Sequence, residues 1–221
     1  MTDKFKQMPF NKKVEHIWEY YRVPIFLIVF FTVLVGWLIN DIFINPAPRT
    51  YTGVAFYDNY VNNEITSDLR DSFTEKYVPE GENLQVKFSS YYDVESDPTV
   101  AVDMAQKFEM LLYAKEIDII VTGKNPKTEY DYFTQFAKDG LLAPLDVIYT
   151  KEELEQFEKD GILAYCKDGN GVDRPFGLSM KNVTSVLKDY EGFKQETKYA
   201  GISNVTERVD NAKQVLKGLV E

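Results

Sequence analysis

One membrane-spanning helix followed by an α/β domain is the architecture this chain predicts, with the sheet open, mostly parallel and covered by helices on both faces. Three observations carry that expectation. An uncharged apolar run lies near the N-terminus, strand-like and helix-like segments alternate after it, and the composition suits a well-cored, acidic globular body. The 221 residues hold 25 Lys or Arg against 35 Asp or Glu, a formal net charge of −10, which argues against nucleic acid as a partner. A single cysteine, Cys166, rules out an internal disulfide or a cysteine-based zinc site, and it reads as a buried small residue. The lone histidine, His16, sits outside the body, so no Ser-His-Asp triad, Cys-His dyad or His-ligated zinc can form there. Nothing in the sequence asks for a cofactor or a resident metal.

The apolar run extends from Val23 to Ile39, and with Ile42, Phe43 and Ile44 it defines a span over residues 23–44. That length is ample for a hydrocarbon core of roughly 30 Å at about 1.5 Å per residue. Trp37 near one end, and Trp18, Tyr20 and Tyr21 near the other, suit the two interfaces, and Asp41 falls near the outer one. Residues 1–22 carry Lys4, Lys6, Lys12, Lys13 and Arg22, whereas Arg49 is the sole basic residue between Asn40 and Thr66. This asymmetry predicts a cytoplasmic N-terminus and an extracytoplasmic body on the cell membrane. A cleaved signal peptide and a buried soluble helix are the competing readings. The prolines of Asn45-Pro46-Ala47-Pro48 make a poor cleavage site, which favours an uncleaved signal-anchor. Val14, Ile17, Trp18 and Tyr21 share one helical face, so the lead over 1–22 either lies in the headgroup plane or continues the span. Its stretch N-K-K-V-E-H-I-W-E-Y-Y-R, residues 11–22, resembles the leads of many single-pass membrane proteins of Gram-positive bacteria.

Residues 45–49 read as a short stiff linker, and 50–221 as the body. Residues 45–221 carry 20 basic and 31 acidic side chains. Thr50–Tyr57 suggests a first strand. Ile65, Leu69, Phe73 and Tyr77 then space a helix that Pro79 and Gly81 stop. Leu84, Val86 and Phe88 alternate with polar residues, as a half-buried strand does. Asp97-Pro98 opens a helix with Ala101, Met104, Ala105, Phe108, Leu111 and Leu112 inward. Ile117–Thr122 fits a buried parallel strand. Thr128–Lys138 reads as a helix with Tyr130, Phe133, Phe136 and Ala137 inward, ended by Gly140. Thr150-x-x-Glu153 is a capping box for a helix reaching Phe157. Ile162–Lys167 and Arg174–Met180 flank a hairpin turn at Asp168-Gly169-Asn170-Gly171-Val172. A strand over Thr197–Ile202 and a helix capped near Ser203 or Asn204, with Val209, Ala212, Leu216 and Leu219 inward, close the chain.

The order of these segments resembles the extracellular solute-binding proteins of bacterial ABC importers, of the sugar-binding type. The matching stretches are I-D-I-I-V-T-G at 117–123, F-A-K-D-G-L-L-A-P-L-D at 136–146, D-G-N-G-V-D-R-P-F-G-L-S at 168–179 and Y-A-G-I-S at 199–203. The resemblance implies one lobe of a type 2 periplasmic-binding-protein-like fold. In that family a second α/β lobe follows the F-G-L-S-like strand, whereas here only the residues between Met180 and Lys198 separate it from the returning strand. The family's Tyr-Asn-Lys crossing strand is not recognisable in V-T-S-V-L-K-D-Y at 183–190. A single lobe offers half of a cleft, so capture by hinge closure is not expected of the monomer.

Ligands of open α/β sheets approach the carboxyl ends of the strands. The candidate surface is therefore Tyr57, Asp58, Asn59 and Tyr60, then Tyr91, Tyr92 and Asp93, then Lys124 and Asn125, with Phe176. These types suit a sugar site, a polar protein interface, or solvated loops equally. The expected function is a membrane-anchored interaction module contacting another envelope or ABC-transporter protein. The alternative is a true sugar or peptide receptor whose second lobe comes from a partner or a dimer. A carboxylate-dependent hydrolase is more remote, because nothing singles out a facing pair of carboxylates, and no enzyme is expected. Asp168, Asn170 and Asp173 fit a hairpin turn better than a calcium loop.

Overall fold

A computed structural model describes residues 9–58, 61–91, 98–125, 128–180, 187 and 197–220. The chain divides at Pro48 and Arg49 into two compact units. The first is built on helix α1, Phe10–Ile39, which widens into a π-helical turn over Asn40–Ile44. Within it Trp18–Ile44, 27 residues, is long and apolar enough to cross a membrane. The lead from Phe10 to Arg22 belongs to this same helix. Thr32, the one hydroxyl in the apolar run, donates back to the Ile28 carbonyl at 2.8 Å and so carries no unmet donor into an apolar setting.

The second unit is a six-stranded α/β domain. Its elements are β1 (Arg49–Tyr57), α2 (Asn63–Tyr77), β2 (Leu84–Tyr91), α3 (Pro98–Tyr113), β3 (Ile119–Gly123), α4 (Tyr132–Lys138), a 3-10 turn (Leu145–Val147), α5 (Lys151–Lys159), β4 (Leu163–Lys167), β5 (Asp173–Ser179), β6 (Lys198–Ile202) and α6 (Val209–Val220). The sheet order is β2-β1-β3-β6-β5-β4. Strand β1 is parallel to β2 and β3, whereas β3/β6, β5/β6 and β4/β5 are antiparallel. The sheet is thus mixed, not mostly parallel. Two features cause this: the β4–β5 hairpin, and β6 entering in reverse between β3 and β5.

Alternation along the central strands divides the core. Val54, Phe56, Ile119 and Val121 face Leu69 and Phe73 of α2, Phe157 of α5 and Leu216 of α6. Ala55 and Ile120 face Phe108 and Leu112 of α3 and Phe133 and Phe136 of α4. Local side chains set several element ends. Asn62 caps α2 by accepting from the Ile65 amide at 2.8 Å, and Thr150 and Glu153 close the capping box of α5. Asp168 accepts from the Asn170 and Val172 amides, which fixes the hairpin turn with Gly171 at φ 81°. The Asp97 cap lies outside the described residues.

Two helices start later than expected. Helix α4 begins at Tyr132, because Asp131 is its N-cap and Glu129 before it adopts φ 57°. Tyr130 is consequently 47% exposed rather than inward. Helix α6 begins at Val209, not after Ser203 or Asn204. The intervening residues are held by Asp118, which is fully buried at the start of β3. Its carboxylate accepts from the Gly53 amide at 2.7 Å, from Arg208 Nε at 3.0 Å and from the Thr206 hydroxyl. Its carbonyl accepts from the Ser203 amide at 2.8 Å. Gly53 is required here, since a Cβ on it would lie 1.9 Å from the Glu116 carbonyl oxygen.

Candidate functional site

Because β1, β2 and β3 run in parallel, their carboxyl ends gather at the sheet end opposite Asp118. The last residue of β5 and the first of β6 reach the same rim, as their directions require. Asp58 stands just past β1 at φ 57°, a conformation a short polar side chain tolerates. Its amide donates to the Tyr91 carbonyl at 2.7 Å, prolonging the β1–β2 ladder. Asn125 Nδ2 donates to Asp58 Oδ2 at 2.8 Å, tying the ends of β1 and β3 together.

Beyond β3 the chain makes a tight excursion over 124–131. Lys124 bridges to Asp131, the Asn125 amide donates to the Tyr130 carbonyl at 2.7 Å, and Asn125 Oδ1 accepts from the Thr128 amide at 3.0 Å. Lys124 lies 3.9 Å from Glu129, and both are well exposed, so this pair stabilises little. The excursion sets up an aromatic ladder. Tyr130 meets Tyr132 with centroids 4.8 Å apart, and Tyr132 meets Tyr57 at 5.2 Å. Tyr57 then contacts Phe136 at 5.0 Å and Phe108 at 4.7 Å. Three of these contacts are edge-on and the fourth is tilted, the edge geometry being one that aromatic quadrupoles favour, and together they connect an exposed ring to the core.

Of the expected surface, the structure brings Tyr57, Asp58, Lys124 and Asn125 together. Tyr91 is at the rim but only 3% exposed, its ring 5.4 Å from Phe108. Burial pushes its phenol up, against a hydrogen bond with Ser89 that works the other way. Phe176 is not at the rim. It lies mid-strand in β5, 2% exposed, among the residues packed with α4. Asn59, Tyr60, Tyr92 and Asp93 lie outside the described residues.

Three residues that sequence reasoning missed join the rim. Tyr130 and Tyr132 were assigned to a helix starting too early, and Asp131-x-x-Thr134 was the signal that could have found its true start. Lys198, buried at the start of β6 beside Gly123, carries no local signal at all. The rim carboxylates are engaged locally, Asp58 by Asn125 and Asp131 by the Thr134 amide at 3.2 Å. Among the described residues, no three His, Cys, Asp or Glu side chains cluster as metal ligands. Cys166 is buried, and that burial, with Asp131 and Asp173 nearby, pushes its thiol up to about 12, so it is protonated and unreactive at neutral pH. The arrangement offers aromatic faces beside an amide–carboxylate pair, groups suited to binding. No protein-family model, no curated protein and no solved structure matches the chain.

Proposed function

We propose that this chain is a membrane-anchored, extracytoplasmic interaction module. On this reading the body is a single-lobe relative of the solute-binding proteins, and it contacts another envelope or transporter protein through the rim. The observation that carries it is the tyrosine ladder: Tyr130, Tyr132 and Tyr57 keep aromatic surface at an open sheet end, backed by core residues and bordered by Asp58 and Asn125. Rigid aromatic side chains with a polar tip are what protein-contact surfaces enrich. Helix α1 supplies the anchor, and the five basic residues of 1–22 support an N-terminus on the cytoplasmic side. The sheet order, with one reversed strand between β3 and β5, is compatible with the proposed ancestry. We read binding rather than catalysis in this rim.

The test is site-specific photocrosslinking of the full chain in its native membrane. A photoreactive residue at Tyr130 is expected to give a discrete adduct, and one at the exposed Tyr165 of β4 none. Equal adducts from both, or none from Tyr130, would refute the reading.

The Asp58–Asn125 pair beside tyrosine rings also favours a second reading, a sugar or peptide receptor completed by a partner or a second copy. Ligand at roughly a hundred times Kd adds about 2.7 kcal/mol to stability, so a solute panel is expected to reveal a clear thermal shift. No shift across the panel removes this alternative.

A further inference from the structure

Side chains from both faces of β2 border one polar cleft of about 400 Å3. Phe88 points with Val86 toward the α2 side, whereas Gln85, Lys87 and Ser89 belong to the alternate set. A cleft that touches both sets, together with Ser67 and Arg70 of α2, wraps around the free edge of the strand. Among the described strands, β2 and β4 are the two edges of the sheet. Strand β4 is blunted in the usual ways: it has five residues, and its pairing is interrupted by an irregularity between Ala164 and Tyr165. Strand β2 has eight residues and no proline.

The ladder fixes which amides face outward. Arg49 N–H donates to the Asn83 carbonyl and Asp58 N–H to the Tyr91 carbonyl, so odd-numbered residues bond toward β1 and even-numbered ones face away. The Val86 amide is covered by the Thr74 hydroxyl at 3.0 Å. The next outward position is Phe88, which borders the cleft. Two cations, Arg70 and Lys87, line that cleft with no carboxylate among its lining residues, Lys87 Nζ also lying 3.7 Å from Glu116 Oε2, in a region, residues 45–221, with 31 acidic against 20 basic side chains. Arg70 is steadied through Nε on Asp71 and Nη2 on Ser67, each at 2.8 Å, and its guanidinium has five N–H donors in all.

We propose that the β2 edge accepts an extended acidic segment of a partner protein as an added strand, with Arg70 and Lys87 selecting its carboxylates. Main-chain hydrogen bonds at Phe88 would give affinity and the cations specificity, as in other strand-addition sites. This surface is distinct from the tyrosine ladder and does not rest on the rim reading. Two copies of this chain pairing edge to edge would bring like charges together, which disfavours self-association as the occupant.

The test uses the full chain in detergent micelles and an end-capped octapeptide of alternating Glu and Thr. Its comparison peptides have Lys for Glu, or N-methyl groups on alternate amides in either register. The acidic peptide is expected to bind at least tenfold more tightly than the Lys peptide and to slow hydrogen exchange at residues 86–90. One N-methyl register is expected to lose at least tenfold while the other binds like the parent. Arg70→Glu with Lys87→Glu is expected to reverse the charge preference. Equal binding of both N-methylated peptides, unchanged exchange at 86–90, or a dimer crosslinked through β2 would each overturn the proposal. Because the decisive comparison alters the peptide, it holds even if the double variant misfolds.

Discussion

The two ends of the sheet are organised for opposite purposes. At the end where β3 begins, Asp118 is fully buried and draws β1, the segment after β6 and the start of α6 onto one carboxylate. At the other end, the Asp58–Asn125 bond ties β1 to β3, the 124–131 excursion is held by bonds of its own, and the aromatic surface is left partly open. Buried charge is concentrated at one end, and partly exposed aromatic surface at the other. A sheet can carry such a rim because its order is secured elsewhere.

Substitutions at the two ends are expected to separate. The largest effect belongs to Asp118→Ala, which strips the Gly53 amide, Thr206 and Arg208 of their acceptor at once. Removing one member of a buried ion pair costs about 3–5 kcal/mol, to be read from urea unfolding of the chain. Arg208→Ala leaves the fully buried Asp118 carboxylate with the Gly53 amide and the Thr206 hydroxyl but without its cation, so its cost is expected to approach that of Asp118→Ala. Next comes Asn125→Ala at the rim, which loses the part-buried bond to Asp58 and the exposed one from the Thr128 amide and is expected to lower stability by about 1–2 kcal/mol. Tyr130→Ala, which loses its ring contact with Tyr132, should cost about 0.5–1.5 kcal/mol while removing the adduct formed from a photoreactive residue placed at Tyr132. If Tyr130→Ala destabilises as much as Asp118→Ala, the contrast between the ends fails.

Acid offers a gentler probe of the same contrast. Glu116, near Asp118, accepts from the Thr50 hydroxyl at 2.6 Å, and that bond, with Lys87 and Arg208 nearby, holds its carboxyl below the usual range. A carboxyl depressed in the folded state contributes stability above its unfolded pKa, and the contribution is lost as pH falls through the folded value. Unfolding midpoints measured from neutral pH downward are therefore expected to decline across the carboxylate range. Thr50→Ala should make that decline shallower, by a small margin because the Glu116 side chain is 42% exposed.

How much of this was legible in the sequence differs element by element. The capping box at Thr150 and Glu153, the Asp168 turn and the alternation from Leu84 to Phe88 each encode a local geometry, and each appears where the pattern put it. Strand direction is not a local property. The run Lys198–Ile202 has nothing in its spacing to say that it pairs antiparallel with both β3 and β5. The rim was half legible for a similar reason. Tyr57 and Asn125 follow from where strands end, but Tyr130 depends on Asp131 winning the cap, and Phe176 on which face of β5 meets α4. Asp118 reads as a lone charge in an apolar run, because its ligands Thr206 and Arg208 are distant in sequence.

The position of β6 also governs how the chain can be made. Strands β1, β2 and β3 form one ladder and the β4–β5 hairpin another, and β6 is the only described strand that joins them. Its residues follow those of the five other described strands, so a ribosome will have delivered both ladders before the two halves can be sutured. Until Ile202 emerges, facing edges of β3 and β5 stand open, and whichever machinery handles the nascent chain must keep them from foreign strands for that interval.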